Sequence, residues 1–195
     1  MASINRTEWQ KNANEEGADA EKLFFEAFTN SLKHPYVVES KPKDFKNLYT
    51  TVDLPVEVLE QIYTPETKIT RHGLAPDYVI RNIETGKSLY VEIKKQNGWV
   101  EGGARQDGRG NAHERCLKYF SPGLLNSLRA AGNISENELP FWVVFQGNIT
   151  RDPCRVREIS LWFTGHEDHF FMWRPFHSDQ DIVSHFNKKL KNILE

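Results

Sequence analysis

Apolar residues recur every three or four positions in several stretches of the chain, which is the spacing of a helix that buries one face. This pattern, supported in places by a proline near the start of a stretch, predicts helices over residues 18–33, 55–63, 111–120, 123–131, 151–163 and 182–194. Shorter runs rich in valine, isoleucine and aromatic residues predict strands over residues 78–83, 88–93, 140–147 and 169–175.

The order of these elements predicts a mixed α/β fold, with a central mixed β-sheet flanked by helices. A chain of 195 residues fits a single domain that spans residues 1–195. The first 20 residues carry few apolar side chains and are expected to form a polar N-terminal segment.

Composition and charge narrow the class of protein only slightly. The N-terminus has no apolar core of a secretory signal, and no apolar run approaches the length of a membrane-spanning helix, so we expect a cytoplasmic protein without a membrane partner. The only cysteines are Cys116 and Cys154, which argues against a disulfide framework or a thiolate zinc site. A net charge of −2 lacks the basic footprint of a nucleic-acid binder. Local charge and bound metal can override net charge, however, so the question stays open.

The strongest chemical signal is the stretch "APDYVIRNIETGKSLYVEIKKQ", which is typical of a β-hairpin. A two-residue loop at Thr85 and Gly86 would place Asp77 opposite Lys94. Because side chains alternate between the two faces of a strand, Glu92 and Lys94 share a face, and Asp77 joins them there. A loop one residue longer or shorter would turn Asp77 to the other face.

Two acids and an amine in one place suggest a specific chemistry. Close carboxylates repel each other unless a proton or a cation lies between them, and Mg²⁺ takes one or two carboxylates together with substrate phosphate. Lys94 can orient or deprotonate a water and stabilise charge that grows on phosphorus, which suits metal-assisted phosphodiester hydrolysis. The spacing fits equally well a surface hairpin whose polar face is solvated. In both cases the other face carries Leu89, Val91 and Ile93 into a core.

A second candidate is the stretch "GRGNAHERCLKYF", residues 108–120. Asparagine can contact adenine and arginine can contact guanine, so Asn111 and Arg115 are candidates for reading base edges. Alternatively, Asn111 is a preferred N-cap residue, and Glu114 follows at the spacing of a capping box. The two interpretations are compatible, because a capped helix can still present Arg115. Residues 117–120 are expected to serve mostly for packing.

Together the two stretches resemble a known family. Pro76-Asp77 followed by Glu92-Ile93-Lys94 is similar to the PD-(D/E)xK nuclease motif. The segment "GNAHER" is similar to the recognition segment of the EcoRI and MunI restriction endonucleases. Stretches similar to the MunI/MfeI-type, EcoRI-like type II enzymes continue through most of the chain: "KNLY", "GWVEG", "GRGNAHER", "PFWVVF", "ITRDP", "RVREI" and "FMWRP". The first twenty or so residues and residues 103–107 match poorly. The joint order and spacing of the motifs, rather than any one of them, carry the resemblance.

The resemblance implies a PD-(D/E)xK restriction-endonuclease-like fold and a homodimeric, Mg²⁺-dependent enzyme that cuts double-stranded DNA. It implies the site CAATTG, cut after the C to leave 5′-AATT overhangs, and a cognate DNA methyltransferase in the host without direct contact. A palindrome has two scissile phosphates and one chain carries one such hairpin, so a two-fold dimer would supply both sites. The two carboxylates would repel the DNA backbone until Mg²⁺ arrives, so tight binding at neutral pH is expected to need a divalent cation.

The resemblance also implies roles for individual residues. Asp77 and Glu92 match metal ligands, together with the backbone carbonyl of Ile93, Lys94 matches the catalytic lysine, and Gln96 matches a position near that site.

The resemblance assigns residues 109–115 to DNA recognition. Within this segment, Arg109 matches the residue that reads the outer C:G pair. The inner AATT is assigned to Asn111, Ala112, Glu114 and Arg115, and Gly110 and His113 lie in the same segment.

Two other functions remain open from sequence. One is a DNA-binding protein that keeps the fold without cutting, against which the intact Asp77, Glu92 and Lys94 argue. The other is a structure-specific PD-(D/E)xK nuclease that reads DNA shape, against which the segment rich in arginine and asparagine argues.

Overall fold

The computed structural model describes residues 6–104 and 111–195, with side chains from residue 18 onward apart from that of Ala112. Five strands form one mixed sheet in the order β1-β2-β3-β4-β5. Neighbours in β1-β2-β3 are antiparallel, and β3, β4 and β5 run parallel. The strands are β1 Tyr36–Ser40, β2 Tyr78–Asn82, β3 Ser88–Lys95, β4 Phe141–Gln146 and β5 Phe170–Trp173.

Helices cover both faces of this sheet. The α-helices are α1 Arg6–Ser31, α2 Val56–Leu59, α3 Pro122–Gly132, α4 Pro153–Trp162 and α5 Asp179–His185. A nine-residue 3-10 helix spans Ala112–Phe120, and π-helical Phe186–Leu190 and 3-10 helical Lys191–Leu194 follow α5. The predicted α/β fold with a central mixed sheet is therefore confirmed.

Two apolar layers form the core, one on each face of the sheet. Trp142 of β4 lies in the layer between the sheet and α1 and α5, where it contacts Phe24 and Phe28 edge to face. Leu128 of α3 and Ile159 of α4 lie in the opposite layer. The central strand β3 contributes to both layers, because alternate side chains point to opposite faces.

Alternation along β3 follows the prediction. Leu89, Val91 and Ile93 are buried in the layer under α1 and α5. Tyr90 lies in the other layer, so Glu92, two residues on, shares its face.

Some predicted boundaries differ from the structure. Helix α1 begins at Arg6, where the sequence predicted a polar segment and a helix only from residue 18. Residues 6–17 contain good helix formers but no apolar stripe, so periodicity could not reveal them. Strand β1 was not predicted, and the predicted helix 182–194 divides into α-, π- and 3-10 segments.

The segment from Val52 to Ile69 exposes much of its apolar surface. Its predicted helix shortens to α2, and eight of the thirteen exposed large apolar side chains in the described chain lie between these two residues. Concentrated apolar surface usually marks a contact with another protein. None of the described helices is long and apolar enough to span a membrane.

Candidate active site

The β2–β3 hairpin brings Asp77, Glu92 and Lys94 together, although its register differs from the predicted one. The observed pairs include Tyr78 with Val91, so the same register places Asp77 opposite Glu92 rather than opposite Lys94. This shift of two residues preserves the face on which every side chain lies. The predicted convergence is therefore observed, and only the predicted cross-strand partner was wrong.

A longer turn causes the shift in register. The backbone N–H of Asn82 donates to the carbonyl of Lys87, so four residues rather than two form the loop. The buried side chain of Asn82 accepts hydrogen bonds from the backbone N–H groups of Glu84 and Thr85, at 3.0 and 3.3 Å. Such an asparagine turn stabilises the wider loop.

Lys94 lies between the two carboxylates. Its Nζ donates to Oε1 of Glu92 at 2.5 Å and to the carbonyl oxygen of Ile93 at 3.1 Å, and lies 4.0 Å from Oδ2 of Asp77. Oδ2 of Asp77 also accepts the backbone N–H of Ile93 at 2.7 Å. The side chains of Lys94, Asp77 and Glu92 are only 14%, 20% and 9% exposed, so the three charges interact with little screening by water.

Burial and the neighbouring charge of Glu92 raise the pKa of Asp77 to about 7, against the opposing effect of Lys94. A cation that replaces this proton would stabilise the ionised form of the Asp77 carboxyl. The described residues contain no group of three or more histidine, cysteine, aspartate or glutamate side chains that would form a metal cage. Two carboxylates and a backbone carbonyl are instead a hard oxygen set, which suits Mg²⁺ with waters and phosphate as the other ligands.

Tyr119 contacts this site and was predicted to serve mostly for packing. Its hydroxyl donates to Oε2 of Glu92 at 2.6 Å, and its side chain is 1% exposed. The useful sequence signal was that a buried tyrosine hydroxyl normally finds a polar partner.

The segment that the resemblance assigns to DNA recognition leads into the 3-10 helix Ala112–Phe120, whose other end carries Tyr119. Asn111 precedes this helix and is exposed, as are Glu114 and Arg115. The predicted cap is wrong, because the side chain of Asn111 makes no capping hydrogen bond. Its Oδ1 instead accepts a hydrogen bond from Nη2 of Arg155 on α4, at 3.3 Å.

His113 does not face outward with its neighbours. Its ring is fully buried and stacked on Trp162, with a centroid distance of 5.5 Å. Nδ1 lies 3.3 Å from Oε1 of Gln96, and Nε2 lies 3.3 Å from Oε2 of Glu158. Burial lowers the pKa of His113, with the charge of Arg155 adding to that effect. His113, which the resemblance placed in the same segment, is therefore buried behind the exposed residues Asn111, Glu114 and Arg115.

Arg155 and Glu158 of α4 contact the side chains of Asn111 and His113, and neither was predicted from sequence. Nη1 of Arg155 donates to Oε2 of Glu158 at 2.7 Å, and this hydrogen bond lowers the pKa of Glu158. One carboxylate oxygen thus contacts both Arg155 and His113, which links α4 to the recognition segment. The predicted Arg109 and Gly110 lie outside the described residues.

Comparisons with known proteins agree on one family. The family model described as the type II restriction enzyme MunI matches residues 1–195. The type II restriction enzyme MunI of Mycoplasma sp. is 48% identical over 194 residues, which cover 97% of this chain and 96% of MunI. The crystal structure of MunI restriction endonuclease in complex with cognate DNA is similar with a TM-score of 0.82 and 48% identity, over 96% of this chain and 97% of that one.

Proposed function

The chain belongs to the MunI family of type II restriction enzymes and is a site-specific endonuclease, and we propose that it cuts both strands of CAATTG after the C. Cleavage would leave 5′-AATT overhangs and would require Mg²⁺. The observation that carries the proposal is the convergence of Asp77, Glu92 and Lys94 at one end of the hairpin. MunI itself has been crystallised with its cognate DNA, which supports double-stranded DNA as the partner of this chain.

Each residue of the site has a chemical task in this proposal. Asp77, Glu92 and the carbonyl of Ile93 would hold the metal. When bound, Mg²⁺ supplies positive charge that stabilises the transition state of phosphodiester hydrolysis. Lys94, which already contacts Glu92, orients the attacking water and offsets the negative charge that grows on the phosphate. Gln96 acts through the buried ring of His113 and therefore supports the recognition segment.

In this proposal the exposed residues of the recognition segment would read bases. Asn111 can contact adenine while it keeps its bond to Arg155, because its carbonyl oxygen has two lone pairs. Glu114 and Arg115 extend the exposed surface beside it. With Ala112, these residues would read the inner AATT, and Arg109 the outer C:G pair.

A two-fold homodimer is the assembly that this proposal implies. One chain carries one hairpin site, and a double-strand cut at a palindrome needs two. The exposed apolar segment Val52 to Ile69 also carries Asp53, Glu57 and Glu60, so it is unsuited to DNA and suited to a protein contact.

A plasmid digest tests the proposed function. Supercoiled plasmid of known sequence with one CAATTG site is incubated with the protein and Mg²⁺, and the ends of the products are sequenced. The proposal predicts linear DNA with 5′-AATT ends after a C. Binding without cutting would indicate the non-cleaving DNA-binding alternative, and nicks that follow DNA structure would indicate the structure-specific nuclease.

Without divalent metal, binding to a CAATTG duplex should strengthen as the pH falls toward about 7 and level off below it. The phosphate favours the protonated form of Asp77, whose raised pKa lies near 7, so the complex takes up a proton. Affinity should change by up to about tenfold per pH unit, the limit for one proton. Fluorescence anisotropy in EDTA measures this slope, and Ca²⁺ should flatten it. Equal affinity at about pH 6 and pH 8 in EDTA would contradict the prediction.

Arg109→Ala should weaken discrimination at the outer base pair by about 1–3 kcal/mol and spare the inner AATT. The check is a competition assay with duplexes that differ at one position each. Equal losses at all positions would mean that Arg109 contacts phosphate instead of a base.

A further inference from the structure

Glu92 has different partners on its two carboxylate oxygens. Oε2 accepts the buried hydroxyl of Tyr119 at 2.6 Å, whereas Oε1 faces Lys94. The tyrosine therefore fixes the rotation of the carboxylate and leaves Oε1 facing Lys94, whose Nζ lies 4.0 Å from Oδ2 of Asp77. An ionised carboxylate can only accept hydrogen bonds, so the tyrosine hydroxyl is the donor in this contact.

Tyr119 belongs to the same 3-10 helix that begins beside Asn111. Helices of this type seldom exceed three or four residues, and this one spans nine. It contacts the β3 segment at two points, through Tyr119 to Glu92 of β3 and through His113 to Gln96, the residue that follows β3. Its length is therefore supported by contacts with the catalytic strand.

The spacing of these two attachments shows how the helix lies. From His113 to Tyr119 the helix rises about 12 Å, at about 2 Å per residue. From Glu92 to Gln96, one residue past the end of β3, the extended chain rises about 13 Å, at about 3.3 Å per residue. The equal spans and reversed order mean that the helix runs antiparallel along the end of β3. A displacement of its N-terminal, DNA-facing end would therefore reach Glu92.

We infer that Tyr119 is a positioning residue that couples DNA recognition to metal binding, by holding Glu92 in the orientation that binds the metal. This inference rests on the proposed function. When Asn111 and its neighbours engage the correct bases, the 3-10 helix takes one position along β3, and Tyr119 sets Glu92 accordingly. On other DNA the helix is not held in that position, and the metal binds less tightly.

Tyr119→Phe tests the inference, because it removes the hydroxyl and keeps the ring that packs 5.3 Å from the ring of Phe141. Tyr90→Phe is the matched control. Tyr90 is equally buried on the same face of β3, and its hydroxyl contacts Asp44 at 3.4 Å, away from the metal site. Thermal melts compare the two variants for any general loss of stability.

Calorimetric titration with Ca²⁺ measures metal affinity directly, without cleavage, on the full-length protein bound to a CAATTG duplex or to an unrelated duplex. Tyr119→Phe should weaken Ca²⁺ binding on the CAATTG duplex by about 10–100-fold, the usual range for residues that orient a metal ligand. The parent protein should bind Ca²⁺ more tightly on the CAATTG duplex than on the unrelated duplex. Tyr119→Phe should reduce this difference in Ca²⁺ affinity by a similar factor. Tyr90→Phe should leave both quantities unchanged.

The outcomes separate the two proposals. If the parent enzyme binds Ca²⁺ normally and Tyr119→Phe binds it equally well, the positioning role is overturned and the proposed function stands. Reduced DNA affinity in Tyr119→Phe with unchanged Ca²⁺ affinity would likewise overturn it, since that pattern indicates packing alone. If the parent enzyme binds no Ca²⁺ with the CAATTG duplex, the proposed function fails and the inference fails with it.

Discussion

Asp77→Asn is expected to abolish DNA cleavage and, at the same time, to stabilise the metal-free fold at about pH 8. The pKa of Asp77 is raised from 3.8 to about 7, so between these values the folded protein keeps a proton that the unfolded chain releases. The free energy of unfolding therefore falls as the pH rises through this window, and above about pH 7 the full cost is present. Asparagine carries no charge and escapes this cost, while its side-chain oxygen can still accept the N–H of Ile93.

The size of both effects can be bounded. The rise in the pKa of Asp77 from 3.8 to about 7 corresponds to about 4 kcal/mol at most. Because the Asp77 side chain is still 20% exposed, solvent screens part of this cost, and we expect about 1–3 kcal/mol of added stability. Loss of a metal ligand should lower the cleavage rate on the order of 10³-fold or more, which is about 4 kcal/mol of activation free energy.

Urea denaturation of parent and variant in EDTA at several pH values measures the stability effect, and a plasmid digest measures cleavage. The stability gain should vanish as the pH falls to about 4. Asp44→Asn is the control, since Asp44 pairs with Arg81 at 2.9 Å and its loss should not stabilise the fold or stop cleavage. If parent and Asp77→Asn proteins are equally stable at about pH 8, the raised pKa of Asp77 is refuted. If the Asp77→Asn variant still cuts DNA, the role of Asp77 as a metal ligand is refuted.

Lys94→Met should have the opposite effect on stability and the same effect on cleavage. The methionine fills similar space but leaves the mostly buried carboxylates of Asp77 and Glu92 without the ammonium that lies between them. Breaking a buried charge arrangement by removing one partner costs about 3–5 kcal/mol. We expect about 3 kcal/mol at about pH 8, decreasing at lower pH as Asp77 takes up a proton.

The same denaturation series tests this second prediction, with Lys95→Met as the control. Lys95 is the next residue on β3, so its side chain points to the opposite face of the sheet. Saturating Ca²⁺ should restore part of the lost stability of Lys94→Met, because a cation again separates the carboxylates. A Lys94→Met variant as stable as the parent at about pH 8 would argue against the close charge arrangement.

The hairpin illustrates how far the pattern of residues could predict the site. Side-chain alternation placed Asp77, Glu92 and Lys94 on one face, and any change of register by an even number of residues preserves that result. The turn itself was predicted two residues too short, because the buried side chain of Asn82 stabilises the longer loop. That stabilisation depends on a local hydrogen bond which the pattern of strands does not contain.

The recognition segment shows the limit of prediction from local sequence. Asn111 and Glu114 have the spacing of a capping box, yet Asn111 binds Arg155, more than forty residues away in sequence. His113 lies among exposed polar neighbours in the chain but is buried, because Trp162, Gln96 and Glu158 surround it. Each of these contacts joins the segment to α4 or to the residue that follows β3, which only the folded chain brings close.

The amino-acid sequence by itself determined the family, the α/β class and the face of β3 on which the two acids and the lysine lie. These follow from motif spacing and from the period of two along a strand, both of which are properties of the chain before it folds. Only the tertiary structure decided that the Tyr119 hydroxyl contacts Glu92 and that the ring of His113 is buried while its neighbours Glu114 and Arg115 are exposed. The physical reason is that burial and long-range hydrogen bonds depend on which elements pack together, and no local pattern encodes the partner of a buried polar group.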